Sequence, residues 1–279
     1  MIKAIVDIGE IGWSMYHRGH LWWRYEHGET PPQVQVWTLP DRFRLYEPFI
    51  CAELKELPKK CQGNKRRNCF TYSGFNQKFI YKMFGISRSS LIHGCVADKK
   101  PEAFYRDRIT IKKFTVTSEE LNIYNKKILS LNKNKKNIIV VPRYKEEVGR
   151  NWSKDKWERL LKLLYGLGCN IILCGLTCQS YDIKIDSRYG INLISNNPFV
   201  DTLCSLDNPK TVLCVASQGF SGKLALLQNV NTVMWGHQKK RHQVGENWST
   251  NPKTVCDFID DKFYNINPQV IFNHVKKMI

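Results

Sequence analysis

The chain has 279 residues, 42% of them hydrophobic, and carries a formal net charge of +18. This hydrophobic content excludes wholesale disorder, and no apolar run reaches the roughly 18 residues of a transmembrane helix. Chains longer than about 250 residues usually divide their core, so two domains are expected. The charge favours a polyanionic partner, such as nucleic acid or an anionic membrane or glycolipid surface. A solvated, lysine-rich surface is the plainer alternative.

The first part of the chain predicts a few separate elements. Residues 2–8 form a strand pattern that Gly9 ends, and this apolar run is too short for a secretory signal. We therefore expect a cytoplasmic protein. Residues 14–27 suit an amphipathic helix, residues 34–38 alternate like a strand, and residues 59–72 are basic and turn-rich, as in an exposed loop.

Ten cysteines require an account. Five lie in or beside apolar runs, where a free cysteine packs as a small hydrophobic residue: Cys169, Cys174, Cys178, Cys204 and Cys214. Four others lack the paired Cys-x-x-Cys spacing of a zinc site: Cys51, Cys61, Cys69 and Cys95. The pattern favours reduced thiols in a reducing compartment, with an irregular metal site or a disulfide as the alternative.

A polar, non-periodic segment, residues 132–137, is the best linker candidate, and it separates a domain of residues 1–131 from one of residues 138–267. The apolar run at 138–141 predicts a buried parallel strand. A helix follows, with Ser153 as its N-cap, and its apolar residues recur at helical spacing: Trp157, Leu160, Leu161 and Leu164. Gly166 and Gly168 mark its end, and residues 171–174 form the next strand.

The alternation of strand and helix then repeats. Residues 212–215 and 232–235 predict strands, with a loop at 217–222 and a helix from Lys223 between them. A last helix covers residues 268–279. This order predicts a parallel sheet that helices cover on both faces, and ligands of such sheets bind beyond the carboxyl ends of the strands.

Four loops in that position carry candidate chemistry. After the first strand, Glu10 stands between Gly9 and Gly12, where a carboxylate suits a general base; a solvated glutamate in a tight turn is the alternative. After residues 138–141 come three basic residues ahead of a helix, a pattern that favours a phosphate site over solvated side chains: Arg143, Lys145 and Arg150.

The third loop holds small residues that suit a nest of backbone N–H groups for a pyrophosphate: Ser217, Gln218, Gly219, Ser221 and Gly222. A simple helix-start turn is the alternative. In the fourth loop, His237 or His242 suits contact with a phosphate or a sugar, and Glu246 suits contact with ribose hydroxyls. A solvated or structural histidine is the alternative there.

Together these segments resemble the heptosyltransferase-like glycosyltransferases of family nine, over about residues 138–240 with a fainter echo at 2–13. The matching motifs are Pro142-Arg143, Trp152 with Trp157, Ser217-Gln218-Gly219, Leu224-Ala225, and the strand that ends at Gly236. Ser217 and Lys223 depart from the family, which has Asp and His at what look like those positions. The resemblance implies an α/β fold of the GT-B type, with two facing Rossmann-like domains and mostly parallel sheets.

The resemblance also implies inverting transfer of a sugar from a nucleotide-sugar, with Glu10 as the base and no cofactor beyond that co-substrate. Helix N-termini and basic side chains, not a metal ion, would stabilise the negative charge that develops on the departing diphosphate. We expect no metal site, because Asp260 and Asp261 lie outside the strand pattern and no other Asp-x-Asp motif stands in a suitable loop.

For the acceptor, the basic composition favours DNA over lipopolysaccharide or another glycan. Phage glycosyltransferases act on hydroxymethylated bases, in the cytoplasm of a host cell. Phosphate contacts could come from Lys59, Lys60, Lys65, Arg66 and Arg67. Gly12 and Trp13 would approach the acceptor, and Trp22, Trp23 and Trp37 offer surface for an extruded base or pack in the core. A non-catalytic nucleic-acid-binding protein on the same scaffold is the third reading.

Overall fold

The computed structural model describes residues 3–6, 18, 33–47, 52–57, 113–144, 151–196, 198–237, 251 and 253–279. The chain divides into two compact units, Met1–Thr110 and Ile111–Ile279. None of the described helices is long and apolar enough to cross a bilayer.

The described strands of the first unit form a parallel sheet in the order β1-β2-β3, with bounds Lys3–Val6, Val34–Thr38 and Ala52–Glu56. The predicted strands at 2–8 and 34–38 correspond to β1 and β2. Along β2, buried residues alternate with half-buried ones, including Trp37. A 3-10 helix, Pro40–Leu45, follows β2, and its last carbonyl accepts a hydrogen bond from Nε of the buried Arg18 at 2.8 Å. The other residues of the predicted helix at 14–27 lie outside the described residues.

The second unit contains six described strands and five described helices. The strands are β4 Asn137–Val141, β5 Asn170–Leu173, β6 Gly190–Asn192, β7 Thr211–Ser217, β8 Thr232–Gly236 and β9 Cys256–Asp260. The helices are α1 Ser118–Lys127, α2 Lys154–Tyr165, α3 Phe199–Asp207, α4 Phe220–Leu227 and α5 Pro268–Met278. The sequence patterns missed β3, β6, β9, α1 and α3.

The six strands are all parallel and lie in the order β6-β5-β4-β7-β8-β9. After β4 the chain adds β5 and β6 on one side, and after β7 it adds β8 and β9 on the other side. Since β4 and β7 are neighbours, the connections to β5 and to β8 leave this pair of strands in opposite directions. An open parallel sheet has its ligand crevice at this switch point, outside the carboxyl ends of the two central strands.

The core of this unit is well filled around β4, all five residues of which are buried. On one face of the sheet, α2 and α5 pack against each other, and α2 buries the four apolar residues that its periodicity predicted. Three buried indole rings meet there, with centroids 4.9–5.1 Å apart: Trp152, Trp157 and Trp235. The predicted separate C-terminal helix is α5, whose Ile271 and Val275 belong to this same core.

The domain boundary differs from the expected one because α1 belongs to the second unit. Its Tyr124 is buried, and Lys127 forms an ion pair with Asp201 of α3 at 2.7 Å. Just before the helix, Phe114 exchanges two hydrogen bonds with the side chain of Gln228. The expected linker at 132–137 is therefore the connection between α1 and β4, inside the second unit.

Two smaller expectations also change. Asp260 is the last residue of β9, an outer strand of the sheet, so it does not lie outside the strand pattern. Among the described cysteines, Cys169, Cys174, Cys204, Cys214 and Cys256 are buried, as small hydrophobic residues would be, but Cys178 is exposed. It lies in a 3-10 helix, Thr177–Gln179, that the apolar run of β5 does not reach.

Candidate functional site

The carboxyl ends of β4 and β7 are joined by a single side chain. Nη1 of Arg143, two residues past the end of β4, donates a 2.6 Å hydrogen bond to the main-chain oxygen of Gln218, the residue that follows β7. The bond crosses the switch point of the sheet. It holds a half-buried guanidinium over the crevice where a parallel sheet binds its ligand.

Gln218 also contacts the loops that follow β8 and β9. Its buried side-chain oxygen Oε1 accepts hydrogen bonds from the Tyr264 hydroxyl and from the main-chain N–H of His237, each at 3.1 Å. Its main-chain N–H donates to the carbonyl of Trp235 at 2.7 Å. The main chain and side chain of Gln218 thus hold together the loops after β4, β7, β8 and β9.

Tyr264 and His237 also approach each other directly. Nδ1 of His237 lies 3.4 Å from the Tyr264 hydroxyl, and their rings meet edge to face. Tyr264 has a φ of +52°, a backbone conformation that a bulky residue adopts at a cost in energy and that surrounding contacts must hold. The hydroxyl contact with Gln218 is one such contact.

Close packing at Gly236 keeps this arrangement compact. A Cβ atom at this position would lie 2.3 Å from Oε1 of Gln218, 2.6 Å from its Cβ and 3.0 Å from the Tyr264 hydroxyl. Only glycine therefore fits between β8 and the Gln218 side chain. The next residue, His237, is placed by this contact at the carboxyl end of the sheet.

The N-terminus of α4 lies beside Arg143. Gly219 is the N-cap, no side chain caps the helix, and a Cβ atom at Gly219 would lie 3.7 Å from Nη1 of Arg143. The first-turn N–H groups of a helix have no intrahelical acceptor and carry a partial positive charge. A cationic guanidinium next to such a helix end is a ready site for a phosphate or another anion.

The structure brings together only some of the predicted donor-binding residues. Arg143, Gln218, Gly219 and His237 meet at the carboxyl end of the sheet. Ser221 and Gly222 belong to the first turn of α4, which starts earlier than expected. Gly222 packs against β8, since a Cβ atom there would lie 2.2 Å from Cε of Met234.

Two hydrophilic side chains, at the end of β7 and in the first turn of α4, are buried. Ser217 is 3% exposed, and its hydroxyl has no hydrogen-bond partner among the described residues. Lys223 is 7% exposed in the first turn of α4. These are the positions at which the sequence departs from the family-nine pattern.

The remaining predicted site residues lie outside the described residues, namely Glu10, Gly12, Trp13, Lys65, Arg66, Arg67, Lys145, Arg150, His242 and Glu246. In turn, sequence reasoning missed Tyr264. The signal was available, because β9 continues the alternation of strands and helices and Tyr264 lies four residues past its end. Loops past the carboxyl ends of parallel strands are where such residues are sought.

Asp261 has a structural part in the same loop. Its main-chain N–H donates to the carbonyl of Gly236 at 2.7 Å, and its carboxylate accepts the main-chain N–H of Ile266 at 2.8 Å. Within the described part of the chain, no group of three or more His, Cys, Asp or Glu side chains is placed to hold a metal ion.

No protein-family model matches the chain, and no curated protein sequence matches it significantly. Solved structures do. An E. coli ADP-heptose lipopolysaccharide heptosyltransferase II is 11% identical with a TM-score of 0.61, and the match covers 100% of this chain and 98% of that one. A family-nine glycosyl transferase from Veillonella parvula is 8% identical with a TM-score of 0.60, covering 99% and 96%. The E. coli heptosyltransferase WaaC with ADP is 9% identical with a TM-score of 0.54, covering 100% of both chains.

The chain has the GT-B fold. The expected α/β class with mostly parallel sheets is confirmed, although the sequence identities are far too low to carry more than the fold. Within the second unit, the described residues that line the crevice at β4 and β7 are Arg143, Gln218 and the first turn of α4.

Proposed function

We propose that this protein is a glycosyltransferase that takes its sugar from a nucleotide-sugar and binds the diphosphate at the switch point between β4 and β7. The observation that carries the proposal is the position of Arg143 beside the uncapped N-terminus of α4. A solved structure of the same fold is a heptosyltransferase with ADP, and nucleoside diphosphates suit an anion site of this kind.

The transfer itself requires charge stabilisation at the leaving group. As the bond between the anomeric carbon and the diphosphate breaks, negative charge grows on the phosphate oxygens. The Arg143 guanidinium and the α4 N-terminus would meet that charge without any reorganisation. We propose that Lys145, Arg150, His237 and Glu246 complete the donor site.

On the acceptor side we propose Glu10 as the general base. It would remove the proton of the acceptor hydroxyl while the oxygen attacks the anomeric carbon from the side opposite the diphosphate, which inverts the anomeric configuration. In this scheme the basic residues and the helix end take the place of a divalent cation. The proposal on Glu10 rests on the family resemblance, not on geometry.

A panel of UDP-, GDP- and ADP-sugars tests donor binding by thermal shift. One of them should raise the melting temperature of the full chain, since a ligand at 100 times its Kd adds about 2.7 kcal/mol of stability. Arg143→Ala should remove most of the shift. Arg188→Ala is the matched control, because Arg188 is exposed and pairs with Asp186 far from the crevice in sequence and in the sheet. If no nucleotide-sugar shifts the wild type, the donor site is wrongly assigned.

A second measurement separates binding from chemistry. Glu10→Gln should keep the thermal shift with the donor but lose sugar transfer and donor hydrolysis, because the amide cannot accept a proton. If Glu10→Gln transfers sugar at the wild-type rate, another residue is the base.

The net charge of +18 supports a polyanionic acceptor. We propose DNA with hydroxymethylated bases on the strength of the basic residues 65–67, and lipopolysaccharide as the competing acceptor because one of the similar structures is a lipopolysaccharide heptosyltransferase. Mass spectrometry of each acceptor after incubation with the best donor decides between them. Binding to DNA with no response to any nucleotide-sugar would instead indicate a non-catalytic nucleic-acid-binding protein.

A further inference from the structure

The amino end of the second unit's sheet, opposite the candidate site, carries a group of lysines. The segments ahead of β4, β7 and β9 supply Lys133, Lys135, Lys136, Lys210 and Lys253. Because these strands are parallel, their starts lie at the same end of the sheet. The main-chain N–H of Asn137 donates to the carbonyl of Lys210 at 2.8 Å, which places Lys136 and Lys210 side by side at the starts of adjacent strands.

The end of α5 adds two more lysines, Lys276 and Lys277. Nζ of Lys136 donates to the main-chain oxygen of Ile279 at 3.2 Å, so the last turn of α5 lies at the start of β4. We name these seven residues the lysine rim: Lys133, Lys135, Lys136, Lys210, Lys253, Lys276 and Lys277. All but the half-buried Lys135 are exposed.

Three described acidic side chains lie at the same end of the sheet. Asp207 at the end of α3 is exposed, Asp257 near the start of β9 is paired with His274 at 2.6 Å, and Asp186 ahead of β6 is paired with Arg188 at 2.6 Å. Lysines at the end of a helix are favoured by the helix dipole, which accounts for Lys276 and Lys277. That explanation does not extend to the five lysines that precede strands.

The chemistry of the rim favours a flat anionic surface over a nucleic acid. The helix end here is a C-terminus, whose carbonyls carry partial negative charge and repel a closely held phosphate. The cations of the rim are lysines, which act as flexible point charges, and the exposed Arg188 ahead of β6 has its guanidinium paired with Asp186. Val255, 48% exposed, lies two residues past Lys253 and offers apolar surface among the charges.

The spacing of the lysines along the rim also favours a flat anionic surface. From β4 to β9 the lysines spread over three strand spacings, about 14 Å. Charges dispersed over such a width can all approach a planar surface at once. We propose that the lysine rim docks the protein onto a bilayer that carries anionic lipid, while the carboxyl end of the same sheet stays turned to the donor.

Vesicle co-sedimentation of the full chain tests this proposal, using phosphatidylcholine alone or with about 30% phosphatidylglycerol. The wild type should bind only the anionic vesicles, and the binding should weaken with salt. The variant Lys133→Gln/Lys210→Gln/Lys253→Gln removes three exposed lysines. Since each contributes about 1 kcal/mol near an anionic membrane, partitioning should fall by about 100-fold.

The matched control, Lys154→Gln/Lys184→Gln/Lys262→Gln, changes the net charge equally but leaves the rim intact. It should bind anionic vesicles nearly as the wild type does. Equal losses in both variants would show that only total charge matters, and would overturn the proposal. So would wild-type binding by the rim variant, or binding to duplex DNA but not to vesicles.

This proposal is independent of the proposed donor site, because the rim lies at the other end of the strands. The rim variant should keep its melting temperature and its thermal shift with the nucleotide-sugar. A chain that binds vesicles through the rim but no nucleotide-sugar would refute the proposed function alone.

Discussion

Arg143 and Gln218 are joined by a 2.6 Å hydrogen bond from the guanidinium to the main-chain oxygen, across the two central strands of the second unit's sheet. The bond uses one of the five N–H donors of arginine and leaves the charge in place. It therefore orients a cation over the crevice at the same time as it ties two loops together. Lysine has no second donor arm in a fixed plane and cannot reproduce both effects.

Replacing Arg143 should therefore affect the donor more than the fold. We expect Arg143→Ala to weaken nucleotide-sugar binding by at least about tenfold, the loss of a charge-assisted hydrogen bond of about 1.5–3 kcal/mol. Arg143→Lys should recover only part of the affinity. Isothermal titration with the best donor measures both variants, and wild-type affinity in Arg143→Ala would contradict the site.

We expect the Tyr264 hydroxyl to contribute to stability and donor binding through its hydrogen bond with Gln218. Tyr264→Phe removes the 3.1 Å hydrogen bond to Oε1 of Gln218, so we expect a loss of about 1 kcal/mol in the free energy of unfolding. Donor affinity should fall as well, because His237 shares that oxygen. Tyr189→Phe is the control and should leave donor affinity unchanged. Tyr189 lies just ahead of β6, at the end of the sheet opposite the candidate site, and its ring stacks on that of Tyr165. Equal donor affinity in both variants would contradict a role for the Gln218 cluster.

Gly236 should not tolerate a side chain. In Gly236→Ala the new methyl group would lie 2.6 Å from Cβ of Gln218, which cannot move without its backbone. We expect a loss of about 1–3 kcal/mol in urea unfolding, the usual effect of overpacking. Gly166→Ala should be nearly neutral, because its nearest heavy atom is 3.4 Å away and its φ is −71°. A neutral Gly236→Ala would show that the packing at β8 is looser than described.

Alkaline pH should destabilise the second unit through its buried thiols. Burial raises the pKa of Cys174 from 9.0 to about 12, and it raises the pKa of Cys214 as well. Above about pH 9 the unfolded chain loses these protons and the folded chain keeps them. The stabilisation is thus complete below the unfolded pKa and is lost as pH rises toward the folded one, by about 1.4 kcal/mol per pH unit for each thiol.

Urea unfolding between about pH 8 and about pH 11 measures this slope. Cys174→Ala should reduce the slope of unfolding free energy against pH by the contribution of one thiol. The variant should also be somewhat less stable than the wild type at neutral pH. Val215→Ala is the matched control, because it removes buried side-chain volume from β7 without removing a titrating group, so it should lower stability but leave the slope unchanged. An identical slope in the wild type and in Cys174→Ala would contradict the assignment.

Much of the second unit followed from residue order alone. The apolar runs that became β4, β5, β7 and β8 are buried on both faces, so they read as continuous hydrophobic segments. The period of α2 placed Trp157 and Leu160 toward the core, and both are buried. Shorter or more polar elements were not predicted, because they carry little hydrophobic pattern. Strand β6 has three residues, and α1 buries one side chain among its ten residues, that of Tyr124.

The order of the strands came only from the tertiary structure. Nothing along the chain states that β7 returns to lie beside β4, yet this neighbourhood creates the switch point and brings Arg143 to Gln218. The sequence placed Gln218 in the donor loop, and the hydrogen bonds of its buried Oε1 with Tyr264 and His237 came only from the tertiary structure. By itself the sequence determined the longer apolar strands and the strongly periodic helices of the second unit, because local periodicity fixes those. The site was decided by contacts between residues 19 to 75 positions apart, and only packing of the whole unit brings such residues together.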